Sequence, residues 1–293
     1  MDIEKIKKKI LDGSPRQVYH ELRVKLLKRK PNSVFTEEFP TVFVLSTGRA
    51  GTETLDALLN LAQNVFSYHE PTPTLYRLSK LAYKYEKELL AKELLRESFL
   101  TARTDLLKYS LDCGRGYVET SPQVTFLAPI ILDTIPQARF IHVVRDPRAV
   151  IRSGMRRKWY DGHPNDSTRI MPHPDSSDGK QWNSYNAFQK NLWLWTETNR
   201  WIMRFLSNVP QTQKILLRAE DIFSGSETTV ADMYNFIASE PPSKRSIKKI
   251  LGKHLNAQEN GEFPESSRWG NDLNRLLAEV AGNTAKQLGY EVK

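Results

Sequence analysis

The stretch Ser46-Thr47-Gly48-Arg49-Ala50-Gly51-Thr52-Glu53-Thr54 lies between an apolar run, Val42 to Leu45, and a helical pattern of Leu55, Leu58 and Leu59. Glycines here let the backbone turn so that successive N–H groups point inward, and the following helix adds the positive end of its dipole. Thr52 and Thr54 can donate hydroxyl hydrogen bonds, and Arg49 offers a planar fork suited to phosphate or sulfate oxygens. Charge-assisted bonds of this kind contribute about 1.5–3 kcal/mol each. The chemistry is that of an anion cradle. The Gly-Lys-Ser/Thr ending of a nucleotide triphosphatase loop is missing, however, and with it the lysine that spans the β- and γ-phosphates and the hydroxyl that holds magnesium. A plain strand-to-helix turn is the alternative reading of the same residues.

A second group lies in FIHVVRDPRAVIRSGMRR, residues 140–157. Arg145 ends an apolar strand pattern, at the edge where open α/β sheets bind ligands. Ser153 follows eight residues later, about two helical turns, which places its hydroxyl on the helix face nearest Arg145. Such a couple could grip a second phosphate. The alternative is an Arg145–Asp146 pair that closes the strand–helix corner, with Ser153 on the helix surface.

The elements that must position these groups alternate between strand and helix, which predicts an α/β fold: one domain with a central, mostly parallel sheet flanked by helices. Strands are expected at 42–46, 65–68, near 116–119, over the ARFIHVVRD run and at 214–219. Helices are expected at 53–63, through a long Lys/Glu/Leu-rich region at 74–109, at 122–135, from Pro147, at 182–207, and near 227–238, 243–251 and 272–288. Residues 160–180, rich in Gly, Pro, Asp and Ser without periodicity, read as a long loop of a kind that is usually functional or disordered. Residues 1–33 read as a basic helical extension and 34–293 as one catalytic domain. In the extension Ile3, Ile6, Ile10 and Leu11 share a helical face, packed on the main domain or lying on a membrane surface.

The 293 residues carry a net charge of +9, which favours a polyanionic partner over none. A single cysteine, Cys113, excludes an internal disulfide and argues against a zinc site. It is expected to be a buried or idle thiol in a reducing cytoplasm. No secretory signal and no apolar run of about 20 residues is present.

Taken together, GRAGTET and VRDPRAVIRS resemble the two cofactor motifs of sulfotransferases that use 3′-phosphoadenosine-5′-phosphosulfate (PAPS), in the right order and separation. YVETSPQVTFLAP and LLRAEDIF are similar to the carbohydrate and tyrosyl-protein branches, and the likeness covers roughly residues 40–240. The resemblance implies a P-loop-like nucleotide fold, PAPS as donor, adenosine 3′,5′-bisphosphate (PAP) as product and no metal. It implies that Arg49, Ala50, Gly51, Thr52 and Thr54 line the 5′ end, and that Arg145 and Ser153 hold the 3′-phosphate. Glu53 stands where the family often has Thr or Ser; a carboxylate cannot donate to a phosphate, so it is expected to turn outward.

Sulfuryl transfer requires a base for the acceptor's proton, an effect of roughly 10²–10⁴-fold. SYHEPTP holds both His69 and Glu70, and Glu70 lies twenty-one residues beyond Arg49, close to the spacing of the catalytic Glu in those two branches. Glu70 is taken as the base, with His69 as the second candidate because its intrinsic pKa lies near neutrality. Some carbohydrate sulfotransferases carry Glu-Lys-Ser/Thr-Pro where this chain has Glu119-Thr120-Ser121-Pro122, so the leaving-group lysine is replaced by Thr120. Arg49 then serves the leaving group alone, or activity is weaker. Ser121 is a donor to the cofactor or a helix N-cap before Pro122, and the two roles are compatible.

The 160–180 loop and the helix with Trp182, Trp193, Trp195 and Trp201 are expected to border the acceptor, although Trp at helical spacing is more often core. His163, His173, Asp166 and Asp175 read as solvated loop residues rather than metal ligands. Lys253, in a polar segment that folds over the nucleotide in the family, is a further candidate contact. The acceptor is a small molecule, lipid head group or carbohydrate bearing a hydroxyl or amine. Two rivals are an ATP-dependent phosphoryl transferase and a non-catalytic basic protein that binds nucleic acid or anionic lipid. The first lacks its lysine and magnesium ligand, and the second lacks a basic stripe interleaved with aromatics.

Overall fold

The computed structural model of the chain describes residues 39–252 and 262–292. The expected extension at 1–33 and Lys253 lie outside the described residues. Five strands, β1 (Thr41–Leu45), β2 (Val65–Tyr68), β3 (Gly116–Glu119), β4 (Arg139–Val144) and β5 (Lys214–Arg218), form one sheet in the order β2-β3-β1-β4-β5. Every pair is parallel, so all five carboxyl ends open on the same edge.

The central strand β1 is buried along its whole length, and its alternation divides the core. Phe43 and Leu45 point to one face. There they join Tyr117 of β3 and Phe140 of β4 under a long helix, α3 (Leu89–Asp112), through Leu95, Phe99 and Leu107. Val42 and Val44 point to the other face, with Val118, Ile141 and Val143. They meet Leu55, Leu58 and Leu59 of α1 (Thr52–Leu59) and Met233 and Tyr234 of α9 (Glu227–Phe236).

The region expected as one helix at 74–109 is two, α2 (Tyr76–Lys84) and α3, with a break at 85–88. Glu86 in that break accepts the indole N–H of Trp201 at 3.1 Å, a tertiary bond that no local periodicity announces. Beyond β3 a 3₁₀ turn, Pro122–Leu127, precedes α4 (Ala128–Thr134). Helix α5 (Pro147–Arg156) follows β4, with Asp146 capping it through the Arg148 N–H. The 160–180 loop is interrupted by a 3₁₀ turn at Asp166–Thr168 and a short helix, α6 (Ser177–Gln181). Helix α7 (Ala187–Ser207) begins five residues later than expected because Asn186 and Gln189 form a capping box. Trp195 and Trp201 are fully buried and Trp193 nearly so; they belong to the core, the commoner role of Trp at helical spacing, and not to an acceptor wall. Short helices α8 (Ala219–Ser224) and α10 (Lys244–Leu251) and a terminal helix, α11 (Asn271–Gln287), complete the described chain. Cys113 caps α3 at the surface and is exposed rather than buried. Among the described residues no helix is long and apolar enough to cross a membrane.

Candidate functional site

The loop after β1 is shaped by its own residues. Gly48, Arg49 and Gly51 all take left-handed φ, at 77°, 57° and 85°. This backbone region is open to glycine and costs an arginine on the order of 1 kcal/mol. The loop's root is held by Thr125, whose hydroxyl accepts from Ser46 N–H at 3.1 Å and donates to Ser46 O at 3.0 Å. Gly51 caps α1 without a side-chain bond, leaving the first turn's N–H groups to whatever lies above. A Cβ on Gly51 would meet the Phe223 ring at 2.5 Å, so α8 covers this point.

The loop and the second motif meet directly. Arg49 Nε donates to Ser153 Oγ at 2.9 Å, and Arg145 Nη1 donates to the carbonyl of Arg49 at 3.1 Å. The Trp195 indole N–H fixes the Arg145 carbonyl at 3.0 Å, and the Arg145 guanidinium stands 5.3 Å from the Phe223 ring centre. The ends of β1 and β4 thus bring Arg49, Arg145 and Ser153 together. Burial, followed by the charges of Arg157 and Arg145, pulls the Arg49 guanidinium down to about 10, still protonated at neutral pH. Crowded, partly desolvated guanidinium groups are costly until an anion neutralises them.

Across a cavity of about 310 Å³ stands the loop after β2. His69 Nδ1 lies 3.0 Å from Thr120 O. A carbonyl only accepts, so Nδ1 carries the proton and the neutral ring keeps its lone pair on Nε2. Glu70 takes φ 46°, and its Oε2 accepts the Tyr76 hydroxyl at 2.7 Å. Tyr76, at the start of α2, is pushed up to about 12, first by burial and then by its bond to Glu70, so it remains a donor.

Behind this loop a buried triad stabilises it. Arg103 of α3 grips Glu119 with two bonds of 2.8 Å, Tyr117 donates to the same carboxylate at 2.6 Å, and Arg103 Nη1 donates to Pro73 O at 2.8 Å. Neither charged side chain is exposed. Thr120, where the lysine of some carbohydrate enzymes would stand, is fully buried with its hydroxyl 3.2 Å from His69 Nδ1. A lysine head has no water there. Ser121 is also fully buried, and its hydroxyl accepts the Gln123 N–H at 3.2 Å, the N-cap of the two roles considered.

The third wall is the 157–170 segment with α2 and α7. Asp166 closes the loop on itself, accepting from the N–H groups of Tyr160, Gly162 and His163 at 2.9, 3.2 and 2.9 Å and from Arg169 Nε at 3.0 Å. The Arg169 guanidinium lies 4.0 Å from the Trp159 ring centre. Asp166 and His163 are therefore occupied in shaping the loop, and no group of three or more His, Cys, Asp or Glu that could hold a metal is found among the described residues.

Arg49, Thr52, His69 and Glu70 line the cavity. Ala50 and Thr54 do not; both are buried, Ala50 in the core beside α1. Glu53 is half-buried and off the cavity wall. Tyr76, Arg157, Trp159 and Arg169 also line the cavity, without a motif to mark them. The one local signal is that Tyr76 opens the helix directly after SYHEPTP.

The Sulfotransferase family is matched over residues 40–240. No curated protein matches the chain significantly. Among solved structures, sulfotransferase STF9 from Mycobacterium avium is similar at 12% identity with a TM-score of 0.55, covering 94% of this chain and 82% of that one. Sulfotransferase STF1 from Mycobacterium tuberculosis is similar at 13% identity with a TM-score of 0.51, covering 88% of this chain and 81% of that one. At these identities the structures speak for the fold.

Proposed function

From the premise that this chain belongs to the Sulfotransferase family, we propose that it transfers the sulfuryl group of PAPS to a hydroxyl or amine, with Glu70 as general base. The observation that supports this best is the direct contact of the two anion-binding motifs, through the Arg49–Ser153 and Arg145–Arg49 bonds, on the sheet edge that also carries Glu70. A single nucleotide with phosphates at both ends fits such a pair of neighbouring basic sites. The left-handed cradle with its uncapped helix start fits the 5′ end.

When bound, PAPS supplies a sulfur that accepts the acceptor's oxygen or nitrogen while its bond to the 5′-phosphate oxygen breaks, leaving PAP. Arg49 and the loop N–H groups hold the 5′ end, and Arg145 with Ser153 holds the 3′-phosphate. The Ser153 hydroxyl, which accepts from Arg49, retains its own proton to donate. Glu70 takes the acceptor proton as the new bond forms; the Tyr76 bond to Oε2 directs Oε1 to that task. Arg157, on the cavity wall and close enough to Arg49 to depress it, supplies the second cation that stabilises charge on the leaving phosphate in place of the lysine absent at Thr120.

Binding and turnover test this separately. PAP raises the melting temperature strongly, whereas ATP with magnesium has little effect. Glu70→Gln keeps the PAP shift and loses roughly 10²–10⁴-fold in transfer from labelled PAPS. Transfer at the original rate by Glu70→Gln would move the base to His69, whose Nε2 lone pair is the specific feature favouring that second reading.

A further inference from the structure

The cavity wall carries four cationic side chains, Arg49, Lys80, Arg157 and Arg169, against one carboxylate, Glu70. Arg49 belongs to the anion cradle of the loop after β1. Arg169 is carried by the 157–170 segment and lines the cavity together with Glu70 and its partner Tyr76. Lys80 reaches the same loop from α2, donating to Ser167 O at 2.8 Å.

Arg169 is locked in orientation. Its Nε is bound to Asp166, its Nη2 lies 3.3 Å from His163 Nδ1, and its plane is set against Trp159. Its Nη1 makes no hydrogen bond within the described residues. A guanidinium fixed in this way is preorganised for an oxyanion and loses little freedom on binding one. In the same cavity two buried polar atoms make no hydrogen bond of good geometry among the described residues, Thr198 Oγ1 and Gln123 Nε2, the latter beside the Tyr76 hydroxyl, on side chains each 2% exposed. A buried donor left unmade costs about 1–3 kcal/mol, which a ligand oxygen would recover.

Resting on the PAPS reading of the site, we propose that the acceptor is a small hydroxylated molecule bearing a carboxylate or phosphate group. Arg169, supported by Lys80, binds that acidic group, and Gln123 and Thr198 bind the molecule's polar substituents. The cavity, about 310 Å³ including the room for the transferring group, suits a sugar acid or sugar phosphate of monosaccharide size. A flat apolar ring system would leave Arg169 Nη1 and Thr198 Oγ1 desolvated without a new partner.

The test uses the full chain saturated with PAP. Glucuronate, galacturonate, glycerol 3-phosphate and glucose 6-phosphate are compared with glucose, galactose and glycerol, by quenching of tryptophan fluorescence and by transfer from labelled PAPS. The acidic members are expected to bind about tenfold or more tightly than their neutral parents. Arg169→Gln is expected to bring that ratio to about one, Arg169→Lys to keep part of it, and both to keep the PAP-induced rise in melting temperature. If Arg169→Gln is poorly folded, Lys80→Ala reports the same ratio, which it should lower several-fold. Neutral members bound as well as acidic ones, no acidic member bound, or equal weakening of both series by Arg169→Gln would each overturn this acceptor class. A PAP shift that persists through those results leaves the donor reading intact. Its absence removes the donor reading instead.

Discussion

The loops at Ser46–Gly51 and His69–Pro73 both open onto the cavity, and each holds one charged residue in the left-handed region, Arg49 at 57° and Glu70 at 46°. They are held there by different means. The first loop has Gly48 and Gly51 flanking Arg49 and Ala50, and its bonding partners are Arg145 just after β4, Ser153 of α5 and Thr125 of the 3₁₀ turn. The second has no glycine. Its conformation depends on side chains from other elements: Tyr76 on Glu70, Thr120 on His69, and the buried Arg103–Glu119 pair on Pro73. One loop carries its shape in its own residues, and the other has its shape imposed by the core behind it.

The largest test of that contrast is Arg103→Ala. It leaves the fully buried Glu119 without its counter-charge and frees the Pro73 carbonyl, and a loss of about 3–5 kcal/mol in chemical denaturation is expected. In the fraction that remains folded, turnover should fall while the PAP-induced rise in melting temperature persists. Equal damage to PAP binding would mean that the two loops are not separately supported.

Gly51→Ala is the converse and is expected to cost about 1–2 kcal/mol, from the left-handed φ of 85° and the Phe223 ring 2.5 Å from the new methyl group. The loss should appear as weaker PAP binding by calorimetry, with acceptor affinity little changed. The smallest effect belongs to Tyr76→Phe, which removes one donor to the Glu70 carboxylate. Tyr76→Phe should therefore lower kcat by a few-fold, through a less well oriented carboxylate, and leave the PAP-induced rise in melting temperature unchanged.

The same contrast explains how much could be read before the structure. Strands β1 and β4, the glycine turn and the Arg145–Ser153 spacing are legible because their chemistry is local: apolar runs, glycines, and a residue eight positions down a helix. The all-parallel sheet follows from the alternation of elements. The Tyr76–Glu70 bond, the Arg103–Glu119 pair and the stacking of Arg169 on Trp159 are not legible, since they join residues through packing. The α2–α3 break hides inside a continuous Lys/Glu/Leu pattern, and the bond made within it, Trp201 to Glu86, joins residues more than a hundred positions apart. Trp193, Trp195 and Trp201 are ambiguous in the sequence for a related reason. A ring suited to lining a sugar site is equally suited to filling the space under a sheet, and only burial tells which.

The Asp166 carboxylate gathers three backbone amides and one guanidinium from within ten residues of its own chain. Loss of that one side chain would release four donors at once, and with them the curvature of the cavity wall that carries Arg169.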